Sequence, residues 1–219
     1  MQVITNSIRR ARMRLWRVAA GIEMVMPAHA SGKERTFLIG DLHFGHKNII
    51  KYCGRPFLIG DHQEMDRVLI RNWNLTVRKK DTVYVLGDFS FSRMNEWWYY
   101  ARRLNGQKVF IQGSHDNFGE LKVLDSVELF ECSEKFLLIH NPTDAPPDYT
   151  GWIIHGHVHN NSPEIYPFIS YARRTVNASA ELLGYRPIDL EKIAEHLHRG
   201  VLTGLMGTQA KVGGPGAES

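Results

Sequence analysis

Five short apolar runs, each meeting a metal-binding type of residue at its C-terminal end, constrain this chain more than any other feature. Residues 36–40 lead into Asp41-x-His43, 82–87 into Asp88, and 108–112 into Gly113-Ser114-His115-Asp116. Residues 135–140 end on His140, and 152–156 lead into His157-x-His159. Runs of this length, rich in Ile, Val, Leu and aromatic residues, read as buried strands. Amphipathic segments between them read as helices: 61–73, opened by a capping-box-like Asp61 and Glu64; 94–104; and 189–200, with Gly200 as the stop. The alternation predicts an α/β domain. Strand ends in such sheets converge along one edge, so five loops can supply one pocket.

The chemistry of the pocket follows from the residue types. Carboxylates mixed with imidazoles suit Mn²⁺, Fe or Zn²⁺ better than Ca²⁺ or Mg²⁺, which favour oxygen alone. In an extended Asp41-x-His43 segment, residues i and i+2 share a face and reach one ion, and His157-x-His159 repeats the spacing. Two such pairs predict two metals. No Gly-rich phosphate loop is present.

This ordered set resembles the signature of the calcineurin-like metallophosphoesterase superfamily: D-x-H, G-D, G-N-H-D/E, H and G-H-x-H. The resemblance spans about residues 36–190, and small bacterial and phage members have phrases similar to Asp41-Leu-His-Phe-Gly-His-Lys-Asn-Ile-Ile50 and Gly184-Tyr-Arg-Pro187. It implies a two-sheet β-sandwich flanked by helices (αββα). It also implies that Asp41, His43 and His159 hold a first metal, that Asp88 bridges, and that His140 and His157 hold a second. His115 would be the catalytic histidine, with Asp116 as its supporting partner. Two divalent ions, Mn²⁺ ahead of Fe or Zn, would activate a hydroxide for in-line attack on phosphorus. The expected substrate is a small phosphodiester such as a cyclic nucleotide; the alternatives are a phosphomonoester or a phosphoprotein. Ser114 departs from the pattern, standing where the superfamily places an Asn ligand to the second metal. It supports a rival reading as a metal-binding scaffold of weak activity.

Charge and the chain's ends complete the reading. The formal charge is +4, but residues 1–35 carry seven basic side chains against two acidic ones, so the remainder is nearly neutral and shows no dedicated nucleic-acid surface. Residues 1–35 are expected to form a poorly ordered basic extension, with a weak likeness to a signal peptide and a second option as an amphipathic helix. The catalytic domain is expected at 36–200 and a flexible tail at 201–219. No apolar run reaches the length of a membrane span, which points to the cytoplasm, and the oligomeric state stays open. Cys53 and Cys132 are expected as free thiols. Trp97, Trp98, Tyr99 and Tyr100 point around a helix and are expected to pack in the core rather than stack on bases. His46, Asn48 and Arg55 are candidates to touch the phosphate or substrate, and His155 to support a ligand.

Overall fold

The computed structural model describes residues 33–91 and 97–209; the N-terminal extension with its signal-like and amphipathic options, the start of the expected 94–104 helix and the end of the tail lie outside them. One sheet contains β1 (Thr36–Ile39), β2 (Thr82–Leu86), β3 (Gln107–Ile111) and β9 (Ile188–Asp189), in the order β3-β2-β1-β9. Its first three strands are parallel, with Phe37 opposite Val83 and Val83 opposite Lys108. The second sheet contains β4 (Ser126–Glu131), β5 (Glu134–Ile139), β6 (Trp152–His155), β7 (Ile169–Ser170) and β8 (Thr175–Asn177), in the order β4-β5-β6-β8-β7. Phe37, Leu38, Val83 and Val85 of the first sheet share one apolar core with Phe136, Leu138, Trp152 and Ile154 of the second. The helices are α1 (Ile49–Tyr52), α2 (His62–Thr76), α3 (Trp97–Ala101) and α4 (Leu190–Gln209). This is the expected two-sheet α/β architecture.

The strands read from the sequence are present to within a residue or two. β4 and β7–β9 are not among them, for physical reasons. β4 alternates exposed and half-buried positions and leaves Phe130 74% exposed, so it lacks a continuous apolar run. β7, β8 and β9 have two or three residues each, too few for any period to register.

Helix α2 begins as its sequence predicts: the Asp61 carboxylate accepts from the Glu64 N–H at 3.0 Å. Its apolar positions Met65, Leu69, Ile70 and Trp73 are buried, and the Trp73 indole donates to the Asn105 carbonyl at 2.9 Å. Helix α4 runs through Gly200 rather than stopping there. A Cβ at Gly200 would lie 2.2 Å from the Tyr171 hydroxyl, so the glycine serves close packing and not a helix stop. The aromatic quartet also divides. Trp97 meets Phe110 and Phe118, and Tyr100 stacks on Phe44, but Trp98 and Tyr99 stay exposed beneath the Arg102 guanidinium. Consecutive helical residues cannot all face one core.

A buried carboxylate locks the turn before β2. Asp81 accepts from the backbone N–H of Arg35 at 3.2 Å and of Arg78 at 2.8 Å, and pairs with the Arg78 guanidinium at 2.8 Å. Burial pushes its pKa up, yet these hydrogen bonds outweigh burial and hold it below the usual 3.8. A carboxyl depressed by folding stabilises fully above 3.8, and that contribution is lost as pH falls through the lower folded value. Asp81→Asn should therefore cost about 2 kcal/mol at pH 7 in urea unfolding, with the gap to the parent narrowing as pH falls below 3.8.

Candidate metal centre

The strand ends hand their chains to loops that continue to pair. Beyond β1, the N–H groups of Asp41, His43 and Phe44 donate to the carbonyls of Gly87, Asp88 and Phe89. Beyond β6, the Gly156 N–H donates to the His140 carbonyl. Asp41, His43, Asp88, His157 and His159 all have positive φ, between 49° and 70°. The expectation that Asp41-x-His43 is extended is thus corrected: its side chains converge through left-handed kinks, a conformation that costs non-glycine residues about 1–3 kcal/mol each. The motif glycines leave room for this crossing of loops. A Cβ at Gly113 would lie 2.1 Å from the Asp88 nitrogen, and one at Gly156 would lie 2.7 Å from an Asp41 oxygen.

Two of the ligand-type clusters among the described residues lie where these loops meet. Asp41, His43 and His159 offer atoms that all lie within 4.8 Å of one another, and so do Asp41, Asp88 and His140. The Asp88 carboxylate stands between them, one oxygen 3.5 Å from His43 Nε2 and the other 3.6 Å from His140 Nε2. The ring nitrogens His43 Nε2 and His159 Nε2 face each other at 3.3 Å, and His157 Nδ1 and His140 Nε2 at 3.2 Å. Ser114 Oγ is 3.4 Å from Asp88, and the His115 N–H donates to Asp88 at 2.8 Å, with both residues exposed at the mouth.

These residues fit a cation. His140 Nδ1 lies 2.9 Å from the Leu86 carbonyl, which only accepts, so that nitrogen carries the proton and Nε2 presents its lone pair inward. His159 Nδ1 lies 3.1 Å from Glu181 and is held in the same sense. Burial raises the pKa of Asp41, which accepts from the His157 N–H through both oxygens at 3.0 Å. Burial, reinforced by His159, holds the His43 imidazole well below its usual pKa. Burial would also lower His159, but hydrogen bonding to Cys53 and Glu181 and the Asp41 charge override it. Positive charge is thus favoured at His159 and disfavoured at His43.

Three sequence expectations, on Arg55, Asp116 and His155, find other contacts here. Arg55 does not face a phosphate: it is buried, pairs with Glu181 at 2.7 Å, and donates to the carbonyls of Asp41 and Leu42. Asp116 accepts from the N–H groups of Phe89 at 2.8 Å and Gly113 at 3.1 Å, so its carboxylate clamps two loops instead of pairing with the His115 ring. Burial and the Asp88 charge push its pKa up to about 6. His155 is buried, with Nδ1 at the Gly156 carbonyl and its ring edge-on to Tyr166. Asn48 is exposed, its N–H donating to His46 Nδ1. Cys53 and Cys132 are free thiols.

Three residues that sequence reasoning missed complete the surroundings. Glu181 orients His159; Asn177 donates to the His159 carbonyl at 2.8 Å; and Cys53 forms a compact group with His159 and Glu181. The only signal for Glu181 was its place just ahead of Gly184-Tyr-Arg-Pro187.

No protein-family model matches the chain. An uncharacterized protein of Methanocaldococcus jannaschii is 44% identical over 170 residues, 76% of this chain and 93% of that one. The gene 66 protein of Mycobacterium phage L5 is 35% identical over 86 residues, 37% of this chain and 39% of that protein. A solved structure of a protein of unknown function from Aquifex aeolicus shares the fold, with a TM-score of 0.56 and 24% identity over 74% of this chain and 99% of that one. The chain belongs to one family with the archaeal protein.

Arg55 and Glu181 form a buried support behind the pocket. Removing one member of such a pair strands the other's charge, at a cost of about 3–5 kcal/mol. Arg55→Met should lower stability by about that much in chemical denaturation. A loss under 1 kcal/mol, on the order of an exposed pair, would show that Glu181 is not stranded.

Proposed function

We propose that the chain is a metal-dependent phosphoesterase that hydrolyses phosphodiester bonds of small nucleotides, cyclic nucleotides among them. The observation that carries this reading is the placement of Asp88 between two buried groups of inward-facing nitrogens and carboxylates. Asp41, His43, Asp88 and His159 would hold one divalent ion, and Asp88, Ser114, His140 and His157 a second, with Mn²⁺ preferred to Fe or Zn. Bound there, such ions supply Lewis-acid polarisation of the phosphate and lower the pKa of a water.

The chain's own groups set the rest. His115 stands exposed at the mouth, free to donate to a phosphate oxygen or to protonate the leaving oxygen. Its backbone N–H, bonded to Asp88, fixes the loop on which the ring rides, and Asp116 ties that loop to residues 89 and 90. Two carboxylates, Asp88 and Asp41, line the pocket, so a phosphate depends on the bound cations for entry. A domain at 36–200 fits this reading.

The protein with Mn²⁺ should hydrolyse a chromogenic phosphodiester, lose activity to a chelator, and favour diesters over phosphomonoesters and phosphopeptides. His115→Ala should lower kcat by about 10²–10⁴-fold at unchanged metal content. Absence of turnover in protein shown by elemental analysis to contain metal would favour the scaffold reading, whose support is Ser114.

That residue has its own test. Ser114 Oγ approaches Asp88 only at 3.4 Å and 3.5 Å, so its hydroxyl is a short and weak ligand donor. Ser114→Asn should raise occupancy of the second ion and increase turnover. Unchanged metal content and rate in that variant would refute the assignment.

A further inference from the structure

Phe91 is the odd member of the chain's Phe-Ser-Phe segment. Phe89 lies in the core at 0% exposure, whereas Phe91, anchored by its N–H to the Phe44 carbonyl at 2.9 Å, is 45% exposed. The His46 ring stacks against it, with centroids 4.1 Å apart and planes 17° apart. The His115 ring meets it at 5.7 Å, and Tyr52, itself 64% exposed, stands edge-on to His46 at 6.3 Å. His46 and His115 lie 5.5 and 5.7 Å from His43. One exposed phenylalanine is ordinary on a protein surface. Four rings in a row, ending at the candidate catalytic histidine, are not explained by core packing.

The flank beside His140 has the opposite character. A cleft of about 740 Å³ opens there beside Ser114 and His157, and its lining includes Asp125, Glu128 and Asp144 but no lysine or arginine. Those carboxylates disfavour a second anionic group on that side. An uncharged planar group attached to the reacting phosphate meets an exposed aromatic face on the Phe91 side.

We propose that Phe91, backed by His46, is the wall on which a planar ring carried by the phosphoester stacks, and that this ring is a nucleobase. The proposal rests on the phosphoesterase reading and adds the element that selects its substrate. Stacking of a base on an aromatic side chain is worth about tenfold in affinity or more, and it tolerates any base because every base has a π-face.

The full chain with Mn²⁺ should bind adenosine 5′-monophosphate about tenfold tighter than ribose 5-phosphate by calorimetry. Phe91→Ala should remove that preference and Phe91→Trp should keep it. In turnover, Phe91→Ala should reduce the kcat/KM preference for a nucleoside 2′,3′-cyclic phosphate over glycerol 1,2-cyclic phosphate by about tenfold, mainly through KM. A parent protein without base preference, or an alanine variant that retains it, overturns the proposal. Hydrolysis of both cyclic diesters with no base preference removes the stacking wall and leaves the phosphoesterase reading intact. A base preference that depends on Phe91 in protein unable to hydrolyse either diester sustains the wall and removes the hydrolase.

Discussion

The contact on which this molecule depends is that between the Asp41 carboxylate and the backbone N–H of His157. Asp41 follows the central strand of one sheet, and His157 follows a strand of the other. Both carboxylate oxygens lie 3.0 Å from that one N–H. The bond ties the sheets together where the candidate ligands gather. It forms because Gly156 lacks a side chain: a Cβ there would collide with the same carboxylate. The left-handed kinks at Asp41, His43, Asp88, His157 and His159 are the local cost of this crossing. Backbone pairing between the 41–44 and 87–89 segments and burial of Leu42, Phe44 and Phe89 offset it. Strain gathered on the residues that would face a cation is the expected sign of a pre-shaped site.

Much of this was legible in the sequence. The five strands that carry the ligand-type residues each hold a short apolar run that is buried towards its C-terminal end, and such runs announce themselves. β4 was silent because an edge strand alternating with Glu128 and Glu131 has no run to detect. Asp41, His43, Asp88, His140, His157 and His159 were found through their order, and the structure brings them into one place. Their geometry was not legible, since spacing alone cannot separate an extended i, i+2 pair from two left-handed kinks. Arg55 was misread for a related reason. An arginine on a loop near a phosphate-type site looks like a phosphate ligand until Glu181, 126 residues away, is seen to hold it.

Asp116 shows how a shared position can hide a different duty. Beside His115 in sequence, it reads as that residue's partner, yet its oxygens go to the N–H groups of Gly113, Phe89 and Ser90. It therefore acts on two loops at once: the one bearing Ser114 and His115, and the one following Asp88. A turn residue that accepts local backbone donors is common chemistry. Here one such carboxylate ties the loop after Asp88 to the loop that bears the exposed His115 ring.

The charge arrangement behind the pocket explains why a buried arginine is compatible with a cation site. Glu181 orients His159 through Nδ1, as carboxylates do for imidazoles that present Nε2 to a metal. Left unpaired, it would add a third negative charge beside Asp41 and Asp88. Arg55, at 2.7 Å and with no exposed side-chain surface, offsets that charge. Its remaining donors go to the Asp41 and Leu42 carbonyls, behind the loop and away from the pocket. The support is then neutral as a unit, and the attraction for cations comes from the two carboxylates that face inward. That division lets Glu181 fix the tautomer of His159 while Asp41 and Asp88 set the pocket's charge.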